Sequence, residues 1–203
     1  MNKLKYISRA FDVYSLDQAK NVVLSHEQNI PDKFENETNL LVDCIENFLN
    51  KNVSILDFGC GMGRVSKEIL KRCECDIIGT DISPSMRSFA KDYVDSDKFK
   101  VYKNYNLENT IDICLCIFVL QHVENLEKEI ENIHNVLKYD GYLILLNEFE
   151  RYVPVDIDEK KYIIWTNDGL DVFEKVSEKF KRIDSKPYNK SIDVNFFKKI
   201  LLV

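Results

Sequence analysis

Short apolar runs that alternate with amphipathic stretches predict an α/β fold. The expected form is a doubly wound, mostly parallel seven-stranded sheet with a C-terminal antiparallel hairpin strand. Three observations carry that reading. Strand-like and helix-like segments alternate between residues 41 and 149. A glycine-rich turn, ILDFGCGMGR (55–64), follows the first strand. The segment from residue 181 onward breaks the rhythm, with two strand-like runs and no helix between them.

Each element has its own signal. Leu41, Cys44, Ile45, Phe48 and Leu49 make one helical stripe, and VSILDFG (53–59) reads as a buried strand. Val65, Ile69, Leu70 and Cys73 mark the next helix, and CDIIGTD (75–81) the second strand. Ser83 and Pro84 supply an N-cap and a first-turn proline for a helix running to about Val94. KFKVYK (98–103) is a third strand. IDICLCIFV (111–119) is apolar almost throughout, as a central parallel strand covered on both faces must be. Leu126, Ile130, Ile133 and Leu137 recur at helical spacing, and Gly141 ends the turn into a fifth strand, YLILLNEF (142–149). Asp168 and Asp171 cap a helix with an inward stripe of Leu170, Phe173, Val176 and Phe180. KRIDSKPY and NFFKKILLV are too close in sequence for a crossover, so they pair as a hairpin.

The 203 residues carry no repeat and no linker-like tract, and are read as one domain. A 45% hydrophobic, 31% charged composition is that of a globular chain. No apolar run reaches the length of about 20 residues that a membrane helix requires. The N-terminus has no apolar core of signal-peptide length, so a cytoplasmic location is expected, without a membrane partner. Six scattered cysteines are expected to be reduced thiols used for packing, with no metal site, since no histidine stands at zinc-ligand spacing from them. The net charge of −6 opposes nucleic-acid binding. Residues 171–203 hold eight Lys/Arg against five Asp/Glu, a solvated basic surface in this reading.

Chemistry concentrates in two places. Asp57 ends the first strand, and glycines at 59, 61 and 63 allow a tight turn where a ligand can lie against bare backbone. Asp81 ends the second strand, 18 residues past Gly63, where a carboxylate can accept hydrogen bonds from both hydroxyls of a ribose. A dinucleotide fingerprint would need glycine at position 64, and Arg64 stands there.

This set of motifs resembles the class I, Rossmann-like S-adenosylmethionine-dependent methyltransferases. The acid two residues before G-x-G-x-G, the segment DISPSM (81–86), the strand and exit loop DICLCIFVLQHVEN (112–125) and NVLKYDGYLILLNE (135–148) occur in the family's order. The terminal hairpin is similar to the family's reversed seventh strand. The resemblance covers about residues 38–203 as the core and implies a helical cap over the site in residues 1–37. It implies S-adenosylmethionine as cofactor, converted to S-adenosylhomocysteine. Gly59, Cys60 and Gly61 would line its methionine part with Asp57 near the ammonium. Asp81 would hold the ribose, Ile82 flank the adenine and Asn104 meet its amine. Cys116 would lie beside it through its backbone. In the cap, Tyr6, Phe11, Tyr14 and His26 are available, with Tyr14 expected at the substrate.

His122, in the exit loop of the fourth strand, is the expected acid–base or substrate-orienting group, ahead of His26 and His134. That loop reads VLQHV, without the D/N-P-P-Y/F segment of nucleic-acid base amine methylases, and no proline precedes a cysteine. The expected acceptor is a small polar metabolite methylated on oxygen or nitrogen, and the protein a monomer or homodimer. A non-catalytic cofactor-binding protein of the same fold and an NAD(P)-dependent oxidoreductase are the alternatives.

Overall fold

A computed structural model of the chain describes residues 5–6, 8–24, 32–105, 107–147, 154–157, 160–163, 167 and 169–200. In chain order the strands are β1 Lys5–Tyr6, β2 Ser54–Phe58, β3 Asp76–Thr80, β4 Phe99–Tyr102, β5 Ile111–Ile117, β6 Leu137–Leu146, β7 Pro154–Ile157, β8 Lys160–Ile163, β9 Phe180–Pro187 and β10 Asp193–Lys199. The helices are α1 Leu16–Val23, α2 Lys33–Ile45, α3 Arg64–Arg72, α4 Pro84–Val94, α5 Leu126–Val136 and α6 Gly169–Ser177.

Seven strands form one sheet in the order β4-β3-β2-β5-β6-β10-β9. The first five are parallel. β10 runs antiparallel to both β6 and β9, so β9 is again parallel to the rest. β5 is therefore the middle strand, which explains its nearly continuous apolar run. The turn between β9 and β10 lies, by this topology, at the carboxyl edge, where open α/β sheets bind their ligands.

Alternate side chains feed two cores. Ile55, Ile113, Leu115, Ile144 and Phe196 face α2, α3 and α4, among them Leu41, Ile69 and Ala90. Leu56, Cys114, Cys116, Leu145 and Phe197 face α5 and α6, meeting Ile130, Ile133, Val172 and Val176. Two-residue periodicity thus assigns the buried apolar residues of β2, β5, β6 and β10 to one helical layer or the other. A smaller cluster of Val13, Ala19, Leu24, Phe34, Met62 and Met86 fastens α1 to the glycine turn and α4.

Several expectations are refined. The division at residues 37 and 38 falls inside the continuous helix α2, whose Thr38 Oγ1 donates to the carbonyl of Phe34 at 2.6 Å. The strand expected from residue 142 begins at Leu137. Ile111 pairs with Leu137 and Ile113 with Tyr142, so β6 advances five residues while β5 advances two. The excess bulges outward around Asp140, at φ 66°, and Gly141 is needed because a Cβ there would stand 2.9 Å from the Lys138 carbonyl. In α6 the buried residues include Val172 as well as Val176, while Phe173 is half-buried and Asp168 lies outside the described residues. A second, three-stranded sheet, β1-β8-β7, has no counterpart in the reading of the sequence. Among the described residues no helix is long and apolar enough to cross a membrane.

Candidate active site

The carboxyl ends of β2 and β3 bring the two acids and the glycine turn together. Gly59, Gly61 and Gly63 all have positive φ, at 73°, 54° and 80°. At Gly59 a side chain would also collide with the isopropyl group of Val119 from the exit loop of β5. Gly63 admits helix α3 close to α4, since a Cβ there would stand 2.6 Å from Val94.

Asp81 holds this turn in shape. One carboxylate oxygen accepts the backbone N–H of Gly61 at 2.9 Å and the other that of Ser83 at 2.9 Å. Each oxygen keeps a further lone-pair direction for a hydroxyl donor. Burial raises the Asp81 carboxyl, while the two backbone N–H groups and Arg87 pull it down. Ile82, beside it, is 50% exposed and presents an open apolar surface. Cys60 donates its backbone N–H to the Thr80 carbonyl at 2.8 Å and buries its thiol in the core, where burial pushes the thiol up.

Asp57 lies beneath the turn, 3% exposed, and accepts the Ser66 hydroxyl at 2.6 Å. Burial pushes its carboxyl up to about 6, Ser66 opposes the rise, Asp81 adds to it and Arg64 opposes it. A cationic group brought alongside would restore the charged form. Arg64 is itself buried, with its guanidinium 3.7 Å from Glu37, 3.5 Å from the Thr38 hydroxyl and 5.8 Å over the Phe34 ring. The residue that stands where a third glycine would be thus ties α3 to α2.

Phe58 pairs with Cys116, which places the backbone of that cysteine next to the turn while its thiol packs against α5. Asn104 is exposed on a bend just past β4. His122 ends a short 3-10 turn, Leu120–His122, and its backbone N–H donates to the Val119 carbonyl at 2.8 Å. The Asn167 side-chain amide clasps this loop through the carbonyls of Leu120 at 2.8 Å and Val123 at 2.7 Å.

The N-terminal segment lies across this edge. Asp12 accepts the Ser83 hydroxyl at 2.9 Å, and the Val13 N–H donates to Ser85 at 2.9 Å. Val23 approaches Gly61, where a Cβ would meet it at 3.4 Å. Phe11, and not Tyr14, reaches the exit loop, with its ring edge-on to His122 at 5.2 Å between centroids. Tyr14 is 87% exposed, because it precedes the α1 N-cap Ser15 and its N–H is bound to Gln18. His134 stands elsewhere, 3.2 Å from the Ile200 carbonyl, and His26 lies outside the described residues. The Ser83–Asp12 and Ser85–Val13 bonds were missed from the sequence, where Ser83 read only as a helix cap.

The glycine turn and the acids that flank it therefore form a cradle fit for a nucleoside with a positively charged arm. A family model described as a methyltransferase domain matches residues 56–145. The ubiquinone biosynthesis O-methyltransferase of Pelagibacter ubique is 28% identical over 152 residues, covering 70% of this chain and 63% of that protein. The malonyl-[acyl-carrier protein] O-methyltransferase 1 of Ilyobacter polytropus is 28% identical over 155 residues, covering 71% and 54%. The chain spans 41% to 63% of the length of the first curated relatives it matches. The crystal structure of a SAM dependent methyltransferase from Aquifex aeolicus superposes with a TM-score of 0.68 at 15% identity, covering 93% of this chain and all of that one, which is a likeness of fold. Motifs, strand order and likenesses agree: residues 56–145 match a methyltransferase domain, and the chain as a whole is similar in fold to the class I S-adenosylmethionine-dependent methyltransferases, whose cofactor is S-adenosylmethionine.

Proposed function

We propose that the protein transfers the methyl group of S-adenosylmethionine to an oxygen or nitrogen atom of a small polar acceptor. The observation that supports this most is the 2.9 Å bond from the Gly61 N–H to Asp81, which joins the glycine turn to the acid of the neighbouring strand. Bound there, the cofactor supplies a methyl carbon already activated by a sulfonium.

The chain's own residues then bind and orient. Asp81 takes the ribose hydroxyls on its remaining lone pairs. Ile82 would lie against the adenine, and Asn104 would meet its amine. Gly59, Cys60 and Gly61 present backbone to the methionine part, Asp57 faces its ammonium, and Cys116 borders it through the end of β5. Together these residues would hold an acceptor lone pair in line with that activated carbon. The proton lost by the acceptor goes to His122 or to solvent. Positioning and exclusion of water carry most of the acceleration in such a displacement. The two related O-methyltransferases favour oxygen as the acceptor atom.

The deciding experiment is calorimetry with S-adenosylhomocysteine, followed by an assay of its formation from S-adenosylmethionine over a panel of hydroxyl and amine acceptors. Binding with turnover supports the proposal. Binding without turnover across the panel favours a non-catalytic protein of this fold, and binding of NAD(P) instead overturns the reading.

A further inference from the structure

The proposed methyl transfer leaves one built feature of the carboxyl edge unused. A cleft of about 420 Å³ lies beside the β9–β10 turn, lined among others by Asn147, Phe173, Arg182, Lys190, Asp193 and Asn195. That volume is within the range of small-ligand sites.

The polar groups in it are arranged by the sheet. Asn195 pairs with Leu145 across β10 and β6, and both belong to the face covered by α5 and α6. Asn147 follows Leu145 by two residues and so shares that face. Both asparagines are buried, at 3% and 4% exposure. The Asn195 amide nitrogen is committed to the Asp193 carbonyl at 2.8 Å, while its Oδ1 has no hydrogen-bond partner among the described residues. A buried acceptor left unpaired costs free energy, and a donor supplied by a ligand removes that cost. The rim carries two exposed cations, Arg182 and Lys190, against one carboxylate, Asp193. Asn147 follows the end of β6, the neighbour of β5, whose exit loop bears His122.

We infer that this cleft holds the polar end of the methyl acceptor, and that the acceptor is a small anion with a neighbouring hydroxyl or N–H group. The donor reaches Asn195 Oδ1 on a turn of that side chain, since the oxygen is closed to solvent in this structure, and the carboxylate or phosphate meets Arg182 and Lys190. As an acceptor subsite the assignment rests on the proposed methyl transfer. As a binding site it stands on the cleft alone.

The test uses the full chain, labelled with ¹⁵N, titrated with L-malate and with glycerol 3-phosphate. Acetate and glycerol serve as anion-only and hydroxyl-only controls. One or both anions are expected to shift the Asn195 side-chain amide and the 189–193 backbone saturably, with Kd on the order of 1 mM, a fair value for so small a ligand. Whichever binds tighter tells carboxylate from phosphate. Asn195→Leu and, as a surface change that leaves the core alone, Arg182→Ala should each weaken binding about tenfold. Absence of a saturable shift, glycerol binding as well as the anions, or Arg182→Ala binding like the parent protein overturns the inference. S-adenosylhomocysteine is titrated in parallel. Its failure to bind, with malate still bound, removes the methyl-transfer reading and leaves the cleft. The reverse result removes the cleft assignment alone.

Discussion

The carboxylate of Asp81 accepts the backbone N–H of Gly61 at 2.9 Å across the gap between β3 and β2. The same side chain that is proposed to hold the cofactor therefore also shapes the turn the cofactor lies on.

Asp81→Ala accordingly has two expected effects. Loss of a charged acceptor for two hydroxyls should cost about 1.5–3 kcal/mol of binding, a tenfold or greater loss of affinity for S-adenosylhomocysteine. The melting temperature should fall as well, because the Gly61 and Ser83 N–H groups lose their acceptor. Calorimetry and a melting curve check the two separately. Unchanged affinity would remove the main support of the proposed function.

With its proposed place beside the cofactor's ammonium, Asp57 should make stability and binding respond oppositely to pH. Its folded-state carboxyl, near 6, lies above the ordinary 3.8, so folding favours the protonated form. The contribution to stability is fully present below about pH 4 and is lost as pH rises through 6, about 3 kcal/mol in all. Asp57→Asn should thus melt higher than the parent protein above pH 6, with the gap closing towards pH 4. Binding of a positively charged arm needs the charged carboxylate, so affinity for S-adenosylhomocysteine should fall below pH 6 in the parent and stay flat and weak in the variant. Parallel melting profiles for the two proteins would contradict the assignment.

At Gly59 a side chain meets both a left-handed backbone and Val119. Gly59→Ala should cost about 1–2 kcal/mol for the backbone conformation alone, with more from the collision. Adding Val119→Ala should recover the part due to the collision and leave the rest. A double-mutant cycle on urea-unfolding free energies measures the coupling; strictly additive effects would mean that the two residues do not meet.

For His122 the decisive comparison is with Phe11, whose ring it touches. If His122 takes the acceptor proton, His122→Ala should lower turnover about 10²–10⁴-fold and abolish the dependence on an ionising group near neutral pH. Phe11→Leu should change the Michaelis constant of the acceptor more than turnover, as loss of a covering side chain does. A rate for His122→Ala within a few-fold of the parent, with an unaltered pH profile, would leave His122 a structural residue.

Ending the chain at Asp184 removes β10, including the fully buried Phe196 and Phe197. Loss of either ring alone is worth about 3–5 kcal/mol, and β6 would become an open edge ready to pair with another chain. The truncated protein should aggregate on expression. A soluble product with the parent's melting temperature would show that the hairpin is dispensable.

The order of elements along the main sheet was legible in the sequence because each signal is local. Alternation, the 3.6-residue stripe, the Ser83–Pro84 helix start and the glycine turn are each decided by neighbours within one turn or one strand. The cradle was legible for the same reason, since Asp57, the three glycines and Asp81 all stand at strand ends. What the tertiary structure decided depends on residues far apart in the chain. Phe11 packs edge-on against His122 while Tyr14 points to solvent, a difference that the sequence, with both aromatics in one segment, does not reveal. Val119 closes on Gly59 only because β5 inserts beside β2. β1 pairs with β8 across more than 150 residues, and a two-residue strand has no periodicity to betray it. Asn195 is a polar residue inside an apolar strand, a signal present in the sequence. Its meaning came only from register, which sets it beside Leu145 on the same face as Asn147, with its buried oxygen lacking a donor among the described residues.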